Sequence, residues 1–190
     1  MPAPMPKPAR RAATPEEAKA LANPLRLRIL RLCLHQALTN KQLAGHLGKD
    51  PGTILHHVRT LVATGFLAAE QVRQGEHGAF EKPYRATGKS WVLDVSDTEG
   101  GAWSPMVSQA SLEAFRAEVE EAGPNSMVND MRLELVLEES SLRELSERLL
   151  EVIEDFRARP HSPGGTHYGI YVGIHRRRLV PEEAGPGGEA

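Results

Sequence analysis

The sequence has a single cysteine and no long apolar run. Because Cys33 has no possible partner within the 190 residues, an internal disulfide is excluded and a reducing compartment is the simpler expectation. No stretch reaches the roughly 18 consecutive apolar residues typical of a membrane-spanning helix, and the N-terminal MPAPMPKPARRAATP lacks the apolar segment of a signal peptide. These absences favour a cytoplasmic protein with no membrane partner.

The sequence also lacks the short motifs of common enzyme classes. It contains no nucleophile elbow, no phosphate-binding glycine loop and no zinc-peptidase helix motif. Its carboxylates lie in stretches typical of solvated helix faces and do not form an isolated acid pair. We therefore expect neither enzymatic activity nor a cofactor.

Acidic residues are scarce in the first half of the chain and abundant in the second. Residues 1–90 contain 14 Lys and Arg against 6 Asp and Glu, a net charge of +8, whereas residues 91–190 contain 9 against 19, a net charge of −10. A basic half suits a polyanion such as nucleic acid, and an acidic half repels it. The split predicts a nucleic-acid-binding part and a separate part for dimerisation or sensing.

Four helices are predicted in the basic half from their capping residues. The start signals, in chain order, are the Thr14/Glu17 capping box, Asn23 before Pro24, the Thr39/Gln42 capping box and Asp50 before Pro51. Only Gly48 and Lys49 separate the end of the third helix from the cap of the fourth. This is the tight spacing of a helix-turn-helix.

The fourth helix, in KDPGTILHHVRTL, has two contrasting faces at about 100° per residue. Its apolar sector, predicted to be buried, contains Ile54, Val58, Leu61, Val62 and Gly65. Its outward sector contains Thr53, His56, Arg59, Thr60 and Ala63. An outward face of this kind is polar and can donate hydrogen bonds, so the helix is predicted to present it to a partner.

A hairpin is predicted after the fourth helix. Extended runs from Phe66 to Arg73 and from Phe80 to Thr87 flank a tip that contains Gly75 and Gly78. Basic side chains on or near the hairpin could contact DNA phosphates beside the helix. The phosphate-contacting candidates are Lys41, Arg73, His77, Lys82 and Arg85, together with the helix-start amides of Gly52 and Thr53. Lys7, Arg10 and Arg11 of the Pro-rich start could add a basic arm.

The acidic half predicts one further helix and a small mixed unit. The helix over residues 104–123 places Leu112, Phe115 and Val119 on one face, with Trp103 at its start. Alternation predicts strands in MRLELVLEE and HYGIYVGIHRR, and a Ser141/Glu144 capping box opens a helix between them. An effector pocket lined by Tyr168, Tyr171 and Trp103 is a further hypothesis, although aromatic residues at such spacing are more often part of the core.

Several stretches together resemble a known family. NPLRLRILRLC, LTNKQLAGHLG, DPGTILHHVRTLVATGFL and EKPYRAT resemble, in the right order, the winged helix-turn-helix of ArsR-type bacterial transcriptional regulators, over roughly residues 14–90. The resemblance implies a homodimer on a near-palindromic operator. It also implies that the fourth helix is the recognition helix, with Thr53, Leu55, His56 and Arg59 towards the groove and His57 partly buried.

One departure from the family concerns metal sensing. Metal-sensing members carry a Cys-x-Cys near the third helix or an acid/His set on a terminal helix, and this sequence has neither. The spacing of His161, His167 and His175 fits no compact ligand pattern, so no metal site is predicted. Regulation by an unknown small-molecule effector and ligand-independent regulation both remain open.

The expected architecture is α+β: a winged helix-turn-helix domain followed by a helix and a small β-α-β C-terminal domain. The expected divisions are a flexible basic tail over 1–13, the DNA-binding domain over 14–98, a dimerisation or linker helix over 99–124, the α+β domain over 125–180 and a flexible tail over 181–190. The dimerisation candidates are Leu112, Phe115 and Val119. We expect a sequence-specific, homodimeric repressor that binds double-stranded DNA, the alternative being a winged helix that binds proteins without specific DNA binding.

Overall fold

The secondary structure follows the order expected of a winged helix-turn-helix. In the computed structural model, the residues described are 10–74, 80–95, 103–160 and 164–178. The helices are α1 (Pro15–Leu21), α2 (Pro24–Leu32), α3 (Asn40–Leu47), α4 (Pro51–Ala63), α5 (Trp103–Ala122) and α6 (Glu139–Ala158). The strands are β1 (Arg11–Ala12), β2 (Leu38–Thr39), β3 (Leu67–Ala69), β4 (Arg73–Gln74), β5 (Phe80–Glu81), β6 (Pro83–Ala86) and β7 (Leu93–Asp94), and a 3-10 helix covers Lys89–Val92.

An antiparallel sheet of three short strands joins the helices to the hairpin. The central strand β6 pairs with β2 on one side and with β3 on the other. Farther along the hairpin, β4 pairs with β5. The predicted hairpin is confirmed, although it consists of two short ladders, and its tip, with Gly75 and Gly78, lies outside the described residues.

All four predicted helix starts in the basic half are confirmed. The hydroxyls of Thr14 and Thr39 each accept a hydrogen bond from the amide three residues later, and the Glu17 and Gln42 side chains accept from the amides of those threonines. Asn23 caps α2 and Asp50 caps α4 through their side-chain oxygens. These caps satisfy amides that have no partner within the helix, which is why the boundaries could be predicted locally.

The apolar face of α4 is anchored in the core. Ile54, Val58 and Leu61 are almost completely buried, in the same cluster as Phe66 and Cys33. Burial raises the pKa of the Cys33 thiol to about 11, so the side chain behaves as a small apolar group and not as a thiolate. The core thus holds α4 by one side only.

Part of the predicted buried sector of α4 is wrong. Val62 is 38% exposed, and Gly65 is also exposed. Gly65 adopts a positive φ of 74°, and the Phe66 amide donates to the Leu61 carbonyl at 2.8 Å, which closes α4 in a Schellman motif before the periodicity reaches Gly65.

Helix α5 docks the acidic half onto the basic half. Helix α5 contacts α1 and α2, and its Ala110 and Ala114 are buried. Arg28 of α2 is 2.5 Å from Glu121 of α5, and burial raises the pKa of nearby Glu118. Some of the acidic charge of the second half is therefore paired directly with basic residues of the first half.

A buried carboxylate fastens the N-terminal residues to the body. Glu17 is 6% exposed, and its oxygens accept from the Arg11 guanidinium at 2.8 and 2.6 Å, from the Lys89 ammonium at 2.7 Å and from the Thr14 amide at 2.9 Å. Arg11 also lies in β1, which pairs in parallel with β7. Arg11 is therefore not part of a free arm. Arg10 lies over the Trp91 ring, and Lys7 is outside the described residues.

The C-terminal β-α-β unit forms only in part. Helix α6 is present, but it begins at Glu139 after an N-cap, Glu138, that makes no side-chain cap bond, so the Ser141/Glu144 capping box is wrong. The acidic Glu139 in the first turn favours this earlier start by its interaction with the helix dipole. Within the part of the chain that the structure describes, neither 131–138 nor 165–178 has a strand partner. Alternation alone does not make a strand, because a strand also needs a neighbour to pair with.

Candidate nucleic-acid interface

The outer face of α4 is solvent-exposed and polar. Thr53, His56 and Arg59 are exposed, while Leu55 and Thr60 are half-buried. The Thr60 hydroxyl donates to the His56 carbonyl at 3.1 Å, so it is engaged with its own helix. Arg59 makes no ion pair with any acidic side chain in the described residues, which leaves its guanidinium available to an acceptor outside the protein.

The turn between α3 and α4 is fixed by backbone geometry. Gly48 adopts a positive φ of 58°, and the Lys49 amide donates to the Ala44 carbonyl at 3.1 Å, which closes α3. The Asn40 side-chain amide then donates to the Pro51 carbonyl at 2.9 Å, joining the first turn of α3 to that of α4. Together these bonds set the angle at which α4 projects. The role of Asn40 was not predicted, and no sequence signal marks it.

The opposite end of α4 is also held by a residue that the sequence did not reveal. The Lys89 ammonium donates to the Thr64 carbonyl at 2.6 Å, just beyond the helix end. A cation there is favourable because the C-terminal carbonyls of a helix carry partial negative charge. Because the same ammonium also binds Glu17, Lys89 connects the Glu17 ion pairs directly to the end of α4.

The amides at the start of α4 already have an acceptor. Those of Gly52 and Thr53 both donate to one Asp50 oxygen, at 2.7 and 3.1 Å. A phosphate at this position would have to approach the Asp50 carboxylate. The geometry therefore disfavours the predicted phosphate contact from these two amides, and the exposed hydroxyl of Thr53 is the better candidate for a DNA contact.

The adjacent histidines of α4 have different environments. His56 is exposed, whereas His57 is half-buried and its Nδ1 is buried without a hydrogen-bond partner in the described residues. Burial, with the nearby charges of Arg26 and His56, lowers the pKa of His57 below its usual 6.5. His57 is thus a supporting residue with a neutral ring, in the partly buried place that the family resemblance implied.

The lowered pKa of His57 predicts a pH-dependent stability. The unfolded chain takes up a proton at this histidine more readily than the folded chain does. The contribution of neutral His57 to the free energy of unfolding is therefore complete above about pH 6.5, and it declines as the pH falls towards the folded pKa. We expect His57→Gln to flatten the fall in the free energy of unfolding between about pH 7.5 and 5.5, measured by urea denaturation. The exposed neighbour supplies the control, His56→Gln, and equal pH slopes for wild type and His57→Gln would contradict the assignment.

The cations of the hairpin are not equivalent. Arg73 pairs with Glu81 across the β4–β5 ladder at 3.6 Å, and Arg85 pairs with Glu70. Lys82 is exposed and makes no ion pair with a described acidic residue, and the same holds for Lys41 in the first turn of α3. His77 lies outside the described residues. Lys41 and Lys82 can therefore meet phosphates directly, whereas Arg73 and Arg85 would first have to leave a carboxylate.

The predicted dimerisation face of α5 is only partly open. Leu112 is 47% exposed, while Phe115 and Val119 are half-buried. Phe115 is stacked on Tyr171 of the same chain with 5.4 Å between ring centroids. Tyr171 lies against α5, Tyr168 is exposed and Trp103 packs on the main core. The effector pocket hypothesised for these three aromatic residues stays a prediction.

Comparison with protein families identifies the helix-turn-helix. Residues 23–68 match the family model of the bacterial regulatory protein, arsR family. The matched ArsR-family segment runs from the cap of α2 through α3 and α4 into β3, so it contains the turn and the outer face described above. It confirms the family resemblance in this segment and supports DNA-binding transcription regulation. No similar sequence was found among curated proteins.

Among the described residues, no group of three or more His, Cys, Asp and Glu is arranged to hold a metal ion. His167 and His175 are exposed, and His161 lies outside the described part. Within the same ranges, no helix has the length and apolar character needed to cross a membrane.

Proposed function

We propose that this protein is a sequence-specific DNA-binding transcription regulator that acts as a homodimeric repressor on a near-palindromic operator. The observation that carries the proposal is the exposed row of Thr53, His56 and Arg59 on α4, a helix whose opposite face is locked in the core of the ArsR-family segment. A helix held in this way can enter the major groove without disturbing the fold.

The chemistry of the row suits the edges of base pairs. Arg59 can donate two hydrogen bonds to guanine O6 and N7, the commonest specific contact in the major groove. The methyl group of Thr53 can contact a thymine methyl, and His56 can donate or accept. Leu55 would add apolar contact at the side of the row. Arg59 is the primary specificity residue in this arrangement, because a bidentate contact distinguishes guanine from the other bases.

Phosphate contacts would come from flanking cations. Lys41 of α3 and Lys82 of the hairpin are both exposed, and each lies within two residues of the paired Thr39 and Pro83. Arg73 and Arg85 would contribute after exchanging Glu81 and Glu70 for phosphate oxygens, a smaller net gain than an unpaired lysine provides. These contacts raise affinity for any duplex and position the helix, while base contacts give preference.

Two copies would meet through α5. The exposed side of Leu112, next to Phe115 and Val119, supplies the apolar contact, and a twofold axis there would direct the two α4 helices to neighbouring half-sites. Leu112→Glu tests this arrangement. The variant should sediment more as a monomer, while the temperature at which the winged domain unfolds stays unchanged. A variant that is as dimeric as wild type would show that α5 is not part of the interface.

The proposed function is tested by a mobility shift on the DNA upstream of the gene that encodes this chain. The protein should bind this duplex in the presence of excess random competitor, and the preference should persist as the salt concentration is raised while non-specific binding weakens. Equal competition by random and upstream DNA at moderate ionic strength would contradict the proposal. A winged helix that binds proteins without specific DNA binding would give this equal competition.

Lys82→Ala should weaken binding to every sequence by a similar factor. An exposed lysine that neutralises one phosphate releases about one counterion, so its loss should reduce the slope of log affinity against log salt by about 0.9. The measurement is fluorescence anisotropy on a specific and a random duplex at several salt concentrations. Lys19→Ala provides a matched control on α1, and a slope for Lys82→Ala equal to that of wild type would exclude the phosphate contact.

A further inference from the structure

Two alternating segments beyond α5 expose an unusual amount of apolar side chain. We call them the C-terminal surface, defined by Met131, Leu133, Leu135 and Leu137 of the first segment and Tyr168, Ile170, Val172 and Ile174 of the second. Each of these eight side chains is between 43% and 80% exposed. Single exposed apolar residues are ordinary, but two such rows mark a surface that is covered in the functional state.

The backbone of the same segments also lacks partners. Neither 131–137 nor 168–174 is helical, and within the described residues neither has a strand neighbour or a backbone hydrogen bond to a turn or loop. Their alternation of apolar and other residues is the pattern of a strand with one covered face. Both the side chains and the backbone therefore have unused capacity for sheet formation.

The helix between the segments does not cover them. No residue of α6 is buried, and its own apolar stripe leaves Val152 and Phe156 57% and 62% exposed. Helix α6 instead contacts the winged domain through polar groups, since the Trp91 indole donates to Glu154 at 2.6 Å. The apolar rows therefore stay largely exposed beside α6.

The charges flanking the two rows complement each other. The first segment carries Glu134 and is followed by Glu138, whereas the second is followed closely by Arg176, Arg177 and Arg178. Arg177 already pairs with Glu134 within one chain, which shows that the two ends can meet. A twofold interface presents the same patch on both copies, so the patch must complement itself, and this surface has both signs of charge as well as the apolar rows.

The position of the C-terminal surface also fits contact with a second copy of this chain. Tyr171 of the second segment stacks on Phe115 of α5, and His167 lies 5.0 Å from His35 at the end of α2, measured between ring centroids. The second segment therefore lies along the helix proposed for dimerisation. A single twofold axis can bring both α5 and the C-terminal surface of two copies together.

We propose that a second copy of this chain covers the C-terminal surface, and that residues 131–137 and 168–174 of the two copies pair backbone to backbone in an intermolecular sheet. An interface of standard size buries roughly 800 Å² on each partner, and these eight exposed apolar side chains would form the apolar part of it. The inference rests on the proposed homodimer and not on DNA binding, and it places the greater part of the dimer contact outside the ArsR-family segment.

Amide hydrogen exchange on the wild-type full chain tests the backbone pairing. Peptides covering 131–137 and 168–174 should exchange at least about tenfold more slowly above the dimer dissociation constant than below it. Exchange that is fast at every concentration, or slow to the same extent at every concentration, would overturn the inference. So would a chain that stays monomeric at every concentration reached. Protection that rises with concentration only in peptides from α5 would leave the proposed dimer standing and reject the sheet.

A pair of substitutions at one position separates backbone pairing from apolar contact. Ile170→Pro removes an amide donor and should raise the dimer dissociation constant about tenfold or more, measured by sedimentation equilibrium. Ile170→Val keeps the donor and most of the apolar surface, so it should remain within about threefold of wild type. A dissociation constant for Ile170→Pro that also stays within about threefold would overturn the inference, whatever the result for Leu112→Glu or for DNA binding.

Discussion

Replacing Arg59 by alanine should cost about 1 to 3 kcal/mol of binding free energy on the preferred operator and relax the preference at one base pair of each half-site. Arg59 is exposed on α4 and makes no ion pair with a described acidic residue, so its removal leaves no buried charge unpaired. The loss should therefore appear in DNA binding and not in stability. The measurement is fluorescence anisotropy on the operator and on variants changed one base pair at a time, with thermal unfolding of the free protein as the check on folding.

The conservative variant Arg59→Lys sharpens this prediction. A lysine keeps the positive charge but presents a single ammonium in place of the planar fork, so it should retain most of the non-specific affinity and lose most of the discrimination. Arg59→Ala should reduce both. If Arg59→Lys and Arg59→Ala both bound all single-base variants with the wild-type order of preference, Arg59 would be a phosphate contact or no contact at all.

Replacing Glu17 by alanine should lower the free energy of unfolding by about 2 kcal/mol. The Glu17 side chain is 8% exposed, and its carboxylate accepts hydrogen bonds from Arg11, Lys89 and the Thr14 amide. Breaking a fully buried ion pair can cost more, but Arg11 and Lys89 are 53% and 26% exposed, so water can take over part of their solvation. The measurement is urea unfolding at neutral pH. Glu16→Ala, at an exposed acidic position in the same helical turn, should change stability by less than about 0.5 kcal/mol.

Protonation of the Glu17 carboxylate should lower the stability of the fold at acid pH. The Arg11 guanidinium, followed by the Lys89 ammonium and the Thr14 amide, lowers the pKa of Glu17 from 4.5 to about 2 against the opposing effect of burial. The stabilisation is therefore fully present above about pH 4.5 and is lost as the pH falls towards 2. Glu17→Gln should flatten this part of the stability profile. A profile for Glu17→Gln that matched wild type between these pH values would show that the network does not stabilise the folded chain.

Local signals predicted the winged domain well because they act over three or four residues. The Thr14/Glu17 and Thr39/Gln42 capping boxes and the Asp50 cap require only the identity of nearby residues, and each is present as expected. The outer face of α4 could be predicted for the same reason, since buried Ile54 and Val58 fix the rotation of the helix and thereby expose Arg59.

Contacts between distant residues could not be predicted in this way. Nothing in the spacing of Lys89 indicates that its ammonium binds both Glu17 and the carbonyl at the end of α4. The charge split between the halves predicted DNA binding by the basic half, but it concealed the pairing of Arg28 with Glu121. In the hairpin, Arg73 and Arg85 appeared free because the register that brings Glu81 and Glu70 beside them is set by the folded sheet.

The C-terminal segments show that a local pattern can predict a strand without showing what the strand pairs with. Alternation in 131–137 and 168–174 predicted strands, yet a strand forms only where another backbone is available to pair with it. Within the described part of a single chain, neither segment is paired in a sheet. The pattern is consistent with a sheet completed by a second copy, which is why the sequence could indicate the strand propensity without revealing the pairing.

Selection of bound sequences from a pool of random duplexes tests most directly whether the outer face of α4 reads DNA. Wild-type protein at moderate ionic strength should enrich a twofold-symmetric motif, and Arg59→Ala should lose the preference at one position of each half-site while retaining the rest. Recovery of random sequence by the wild-type protein, or of the same motif with undiminished preference by Arg59→Ala, would contradict the account.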